Sequence, residues 1–179
     1  MDELKNNLDR VNMWIGNCDQ KASFLLAAVG VMATVICTSD LAGLVKNELV
    51  RPFVSYWTNG VGEFSAFNFV NALFLVAGLG CLFAAIIYAL LSLTATTNYE
   101  ENKQKGMVEK SLLHYGSIAK MTFEEYDKSD IDKNADFKSQ IYINSCICDA
   151  KFKKYKIALT LTLIAMPLLA IAFVLLLFL

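Results

Sequence analysis

Three runs of the chain carry no charged side chain: Ala22–Ser39 (18 residues), Phe69–Leu93 (25 residues) and Ile157–Leu179 (23 residues). Nothing else in the sequence restricts the fold as much. A helix needs ~17–25 predominantly apolar residues to cross a bilayer at ~1.5 Å per residue, because in hydrocarbon every backbone N–H and C=O must be paired within the segment. Each run meets that length. The chain is therefore expected to be all-α, a multi-pass membrane protein with three transmembrane helices at 22–39, 69–93 and 157–179. A signal peptide is the natural rival for the first run, but residues 1–21 hold four acids against three bases, and no small-x-small cleavage pattern precedes Asp40. Composition agrees with spans: 56% of residues are hydrophobic and 18% charged, against ~45–50% and ~25% in an ordinary soluble domain. With 16 bases and 17 acids there is no cationic surplus to neutralise phosphates, which excludes a nucleic-acid-binding module.

The bases give an orientation. Residues 1–21 hold three of them, residues 40–68 only Lys46 and Arg51, and residues 94–156 eleven lysines, including Lys151, Lys153, Lys154 and Lys156 directly before the third run. The positive-inside rule places 1–21 and 94–156 in the cytoplasm, 40–68 outside as a loop, and Leu179 at the outer face. Phe53, Tyr56, Trp57, Phe64, Phe67 and Phe69 suit an interfacial aromatic belt. None of the 5 cysteines falls in the external segment, so no disulfide is expected there. One His and the lone Cys146-x-Cys148 pair make no metal site.

Within 1–21, Leu4, Leu8, Val11, Ile15 and Cys18 recur at alternating four- and three-residue steps, the stripe of an amphipathic helix. The second span reads as continuing in a polar helix to about Leu113, with Glu101, Lys105, Val108 and Leu112 at helical spacing. A further helix before the third span puts Phe137, Ile141, Cys148, Phe152 and Tyr155 close to one side. These extensions are expected to form a small cytoplasmic bundle, its apolar positions serving as core or as contacts in a homo-oligomer. The spans hold no ionisable residue, which argues against a transporter or pump. Ala77, Cys81, Ala85 and Ala89 form a small-residue ridge for close helix approach. Pro167 removes a backbone donor, and Thr160 and Thr162 are candidates to satisfy carbonyls.

One stretch is chemically rich: His114-Tyr115-Gly116-Ser117-Ile118-Ala119-Lys120-Met121. Thr122 followed by Glu125 is a capping-box signature, so a short helix should begin at Phe123 with a loop before it. Two readings stand side by side. A helix N-terminus beside Gly116, Ser117 and Lys120 is a place for a phosphate; equally, the stretch is a turn around a buried aromatic. Asp127, Asp130, Asp132 and Asp136 read as a solvated surface, lacking the Gly and terminal Glu of a calcium loop. No acid pair, nucleophile–base set or metal cluster is visible, and an enzyme is not expected.

With these segments placed, the chain resembles the PycTM family, the membrane effectors of Pycsar anti-phage systems. The likeness rests on Asp19-Gln20-Lys21-Ala22 at the start of the first span, on the block from His114 through Lys120 and Thr122 to Tyr126, and on Ile141-Tyr142 with a Lys-Tyr-Lys-rich lead into the last span. It covers essentially the whole chain, since the order of helix, span, loop, span, cytoplasmic region and span also matches. The resemblance implies an effector in the bacterial inner membrane. It would sense a cyclic pyrimidine mononucleotide, cyclic UMP or cyclic CMP, made by a partner cyclase on infection, and then impair the membrane before phage mature. Joined to the residues, it suggests that Lys120 and the amides of Gly116, Ser117 and Thr122 take the phosphate, Tyr115 stacks on the base, and His114 or Ser117 bonds base or ribose. Asp19 and Lys21 would couple the bundle to the first span through a salt bridge. No cofactor is expected. The alternatives are a constitutive membrane scaffold and a holin-like protein without a nucleotide sensor.

Overall fold

The computed structural model describes residues 1–37, 42–43, 45–60, 66–94, 102 and 104–176. Helices make up nearly all of it. They are α1 (Asp2–Cys37), a π-helical stretch at Val45–Val50, α2 (Arg51–Asn59), α3 (Ala66–Leu93), α4 (Tyr115–Ile118), α5 (Phe123–Asp127) and α6 (Lys133–Leu176). No strand occurs among the described residues. α1, α3 and α6 are long and apolar enough to cross a membrane, as the three uncharged runs require. The tips of the first and third runs, Thr38–Ser39 and 177–179, lie outside the described residues.

The chain divides into two compact units, 1–21 with 92–153 and 22–91 with 154–179. The second is the apolar unit. Its core is Val29 of α1, Leu75 and Leu82 of α3, and Ala165, Leu169, Ala172 and Leu176 of α6. The buried line of α3 runs Leu75, Leu82, Ala85 and Ala89, so the predicted ridge is displaced: Ala85 and Ala89 belong to it, whereas Ala77 is exposed and Cys81 half-buried. Gly78 also faces α6, where a Cβ would sit 2.8 Å from Leu169 Cγ. A side chain there would force Leu169 to shift. Large apolar residues on the outer faces, among them Phe24, Val76, Phe83 and Leu163, are exposed, as suits helices whose solvent is lipid. α6 continues through Pro167. The hydroxyls of Thr160 and Thr162 donate to the carbonyls of Lys156 and Ala158, each at 2.9 Å, and not to Leu163, the carbonyl four residues before the proline.

The stretch 40–68, expected to be a loop, is helical over 45–59. Pro52 sits in the first turn of α2, and Gly60, at φ 62°, ends it by donating its N–H to the Tyr56 carbonyl at 3.2 Å. Proline opening and glycine closing a helix are local signals that the aromatic content of this segment masked. Phe53 and Trp57 pack one turn apart, centroids 6.1 Å apart; Phe64 lies outside the described residues.

In the first unit, α1 carries the expected stripe, whereas on α6 the buried line is offset from the expected one. Cys18 and Ile143 are fully buried, Trp14 meets Phe152 edge-on at 6.4 Å, and Asn144 donates to Asn12 at 2.9 Å. The expected polar continuation of the second span to about Leu113 is corrected. α3 stops at Leu93, and residues 104–114 form an irregular strap, with a turn in which Met107 N–H bonds the Gln104 carbonyl at 3.1 Å and Gly106 takes φ 95°. A positive φ breaks a right-handed helix, and the Ser111 hydroxyl captures the N–H groups of Leu113 (3.0 Å) and His114 (3.2 Å), a local alternative to helical pairing. Glu101 lies outside the described residues.

Candidate functional site

The strap is fastened to α6 by polar side chains. Asp136 Oδ2 accepts from Leu112 N–H at 2.8 Å, and Ser139 Oγ accepts from Val108 N–H at 3.3 Å. Both side chains are buried. Asp136, expected on a solvated surface with Asp127, Asp130 and Asp132, is therefore an anchor; it falls one heptad before Ile143, on the buried face. The line through Asp136, Gln140, Ile143 and Lys151 is the most buried on this part of α6, and Phe137, Ile141, Cys148, Phe152 and Tyr155 are half-buried.

The strap ends at His114, which caps α4 with its own side chain: Nδ1 accepts from Ser117 N–H at 3.2 Å. That bond requires Nδ1 without a proton. The imidazole lies over Gly116, where a Cβ would stand 2.9 Å from His114 Cε1, so glycine is needed for the close approach. The Tyr115 ring lies 5.1 Å from the imidazole, centroid to centroid, and Tyr115 is 72% exposed. A turn around a buried aromatic is thus overturned. His114, Tyr115, Gly116 and Ser117 are brought together. Lys120 follows on the turn after α4, exposed, with its N–H bonded to the Ser117 carbonyl at 3.2 Å.

Thr122 caps α5 in a full capping box, as its spacing predicts. Glu125 N–H donates to Thr122 Oγ1 at 3.2 Å, and Thr122 N–H donates to Glu125 Oε2 at 2.9 Å. Glu125 also pairs with Lys110 at 3.0 Å. The Thr122 N–H, with help from Lys110, holds the Glu125 carboxyl below its ordinary range. The amides of Ser117 and Thr122 are therefore engaged within the segment, and the anion position of α5 is occupied by the protein's own carboxylate. Beside it opens a cleft of about 410 Å³ lined by Val108, Glu109, Lys110, Met121, Glu125, Ser129 and Ile131. That size suits a small ligand. Lys110 is the cation on this cleft that sequence reasoning missed.

Asp19 and Lys21 meet separate partners on α6. Asp19 forms a 2.5 Å ion pair with Lys151, whose side chain is 5% exposed against 38% for Asp19; Lys21 Nζ stands 5.8 Å from the Phe152 ring centroid. Ser92, at the end of α3, joins this node by donating to the Lys151 carbonyl at 3.1 Å and meeting Cys18 Sγ at 3.7 Å. Nearby, burial pushes the Cys148 thiol up, Cys18 and Asp149 adding to the effect and Lys151 opposing it. A salt bridge from Asp19 to the bundle was expected, without its partner.

An apolar helical unit with three long helices, together with a polar unit carrying a cleft and a capped turn, defines a helical membrane protein without a strand among the described residues. The Pycsar effector protein domain family, PycTM, matches residues 3–178, and the chain belongs to it as an effector of anti-phage defence. Among curated proteins it is similar to the Pycsar effector protein GmPycTM of Gulbenkiania mobilis, with 29% identity over 171 residues, covering 86% of this chain and 81% of that protein. No solved structure matched it.

Proposed function

We propose that this effector senses cyclic UMP or cyclic CMP from a partner cyclase through its 94–156 region and then impairs the inner membrane, without catalysis. Residues 1–21 and 94–156 lie in the cytoplasm, 40–68 outside, and Leu179 at the periplasmic face, as the lysine distribution requires. The polar unit works as the sensor, and the three spans, assembled in a homo-oligomer, are the output.

The exposed ring of Tyr115 beside His114 carries this reading. An aromatic side chain left 72% exposed beside an imidazole offers a base-stacking surface. Lys120 supplies charge for a single phosphate, and Ser117 a hydroxyl for ribose or base. Because the amides of Ser117 and Thr122 are already engaged, phosphate binding there draws on Lys120, and on Lys110 released from Glu125. Ligand then shifts the balance between two arrangements of the unit by its differential affinity for them. The test is titration of purified full-length protein in detergent with cyclic UMP and cyclic CMP. Saturable binding, weakened about ten-fold or more in Tyr115→Ala and Lys120→Ala, is expected; no binding to the wild type, or unchanged binding in both variants, rejects the site.

A further inference from the structure

Two buried polar atoms on α6 lack partners among the described residues: Asp136 Oδ1 and Gln140 Nε2. Asp136 is 2% and Gln140 3% exposed. They lie four residues apart, hence on one face with Cβ atoms about 5–6 Å apart. One is an acceptor that needs a donor, the other a donor that needs an acceptor. Leaving both buried and unmade is costly; a change of rotamer would let them pair with each other across one turn, and a ligand edge of opposite pattern satisfies them together.

We infer that Asp136 and Gln140 are the base-reading pair of the sensor, taking a ring edge that presents a donor beside an acceptor. This rests on the nucleotide-sensing reading above. Uracil offers N3–H beside a carbonyl oxygen, and cytosine its 4-amino group beside N3. In each case Asp136 Oδ1 accepts from the base and Gln140 Nε2 donates to it, as side-chain carboxylates and amides do when they read base edges elsewhere. The pair therefore serves both pyrimidines and does not choose between them.

Access is through the strap. Val108 and Leu112 N–H groups bond Ser139 and Asp136, and Gln104 Nε2 bonds the Tyr142 hydroxyl at 2.7 Å; Val108 and Lys110 are also walls of the cleft. A ligand entering the cleft, with its phosphate drawn to Lys110, displaces the strap from α6 and uncovers the pair. Ligand contacts at Asp136 Oδ1 and Gln140 Nε2 are then made at the expense of the strap bonds to Asp136 Oδ2 and Ser139 Oγ, so occupancy is coupled to a change in the polar unit.

The test is titration of full-length protein in detergent with cyclic UMP and cyclic CMP, comparing wild type with Gln140→Met and Asp136→Asn. Gln140→Met keeps side-chain length and removes the orphan donor, so thermal unfolding should occur no lower than in wild type while affinity for both nucleotides falls roughly ten-fold or more. Asp136→Asn retains an acceptor for Leu112 N–H and should also weaken both ligands. If both variants bind as wild type does, the pair is structural, holding at most a bridging water, and the inference fails while nucleotide sensing stands. If wild type binds neither nucleotide, both readings fail.

Discussion

A buried lysine beside a half-exposed aspartate makes an asymmetric pair. Removing Asp19 leaves the Lys151 ammonium in a site where its side chain is 5% exposed, and an uncompensated buried charge is strongly destabilising; removing Lys151 leaves a carboxylate that water can reach. Asp19→Ala is predicted to cost about 2–3 kcal/mol, reduced from the fully buried case because Asp19 is 38% exposed. Lys151→Met should be close to neutral, and thermal unfolding in detergent compares the two. Glu125 gives a pH signature. Its carboxyl titrates below its ordinary value of 4.5 because the Thr122 N–H and Lys110 bond the ionised form. The stabilisation is fully present above pH 4.5 and is lost as pH falls through the lower folded value. Amide hydrogen exchange at Glu125 should rise in that acid window, after correction for intrinsic rate, and Glu125→Gln should flatten the dependence.

At the level of elements, α3 approaches α6 closely where Gly78 lacks a side chain. Gly78→Ala places a Cβ 2.8 Å from Leu169 Cγ and is expected to destabilise by roughly 1–3 kcal/mol through overpacking. Gly80→Ala meets nothing within 4 Å and should be neutral or stabilising, so the pair separates packing from helix propensity. The same helices show what a sequence discloses. Uncharged runs report spans directly, because the membrane penalises every charge, and the Thr122–Glu125 box was legible because its two partners are three residues apart. The end of α3 was not. Lys105, Val108 and Leu112 keep helical spacing, and only Gly106 with its positive φ marks the strap. Burial of Asp136, Gln140 and Lys151 was equally hidden, since it is set by segments distant in sequence that pack over them: the strap for Asp136, and α1 with the end of α3 for Lys151.

At the scale of the whole molecule, α1, α3 and α6 each contribute residues to both units, so sensing and membrane action are assigned to different stretches of the same helices. A polar unit with unpaired buried groups and a self-occupied anion position is suited to a resting state that ligand replaces. Three spans without a charged side chain are suited to act by rearrangement of packed helices instead of by ion relay. The central claim is that the membrane lesion is gated by nucleotide. It is tested most directly by dye release from vesicles of bacterial lipid reconstituted with the full-length protein. Release should be at background until cyclic UMP or cyclic CMP is added and then rise saturably. Release of the same extent without nucleotide would identify an ungated holin-like protein, and no release at saturating concentrations of either nucleotide would contradict the account.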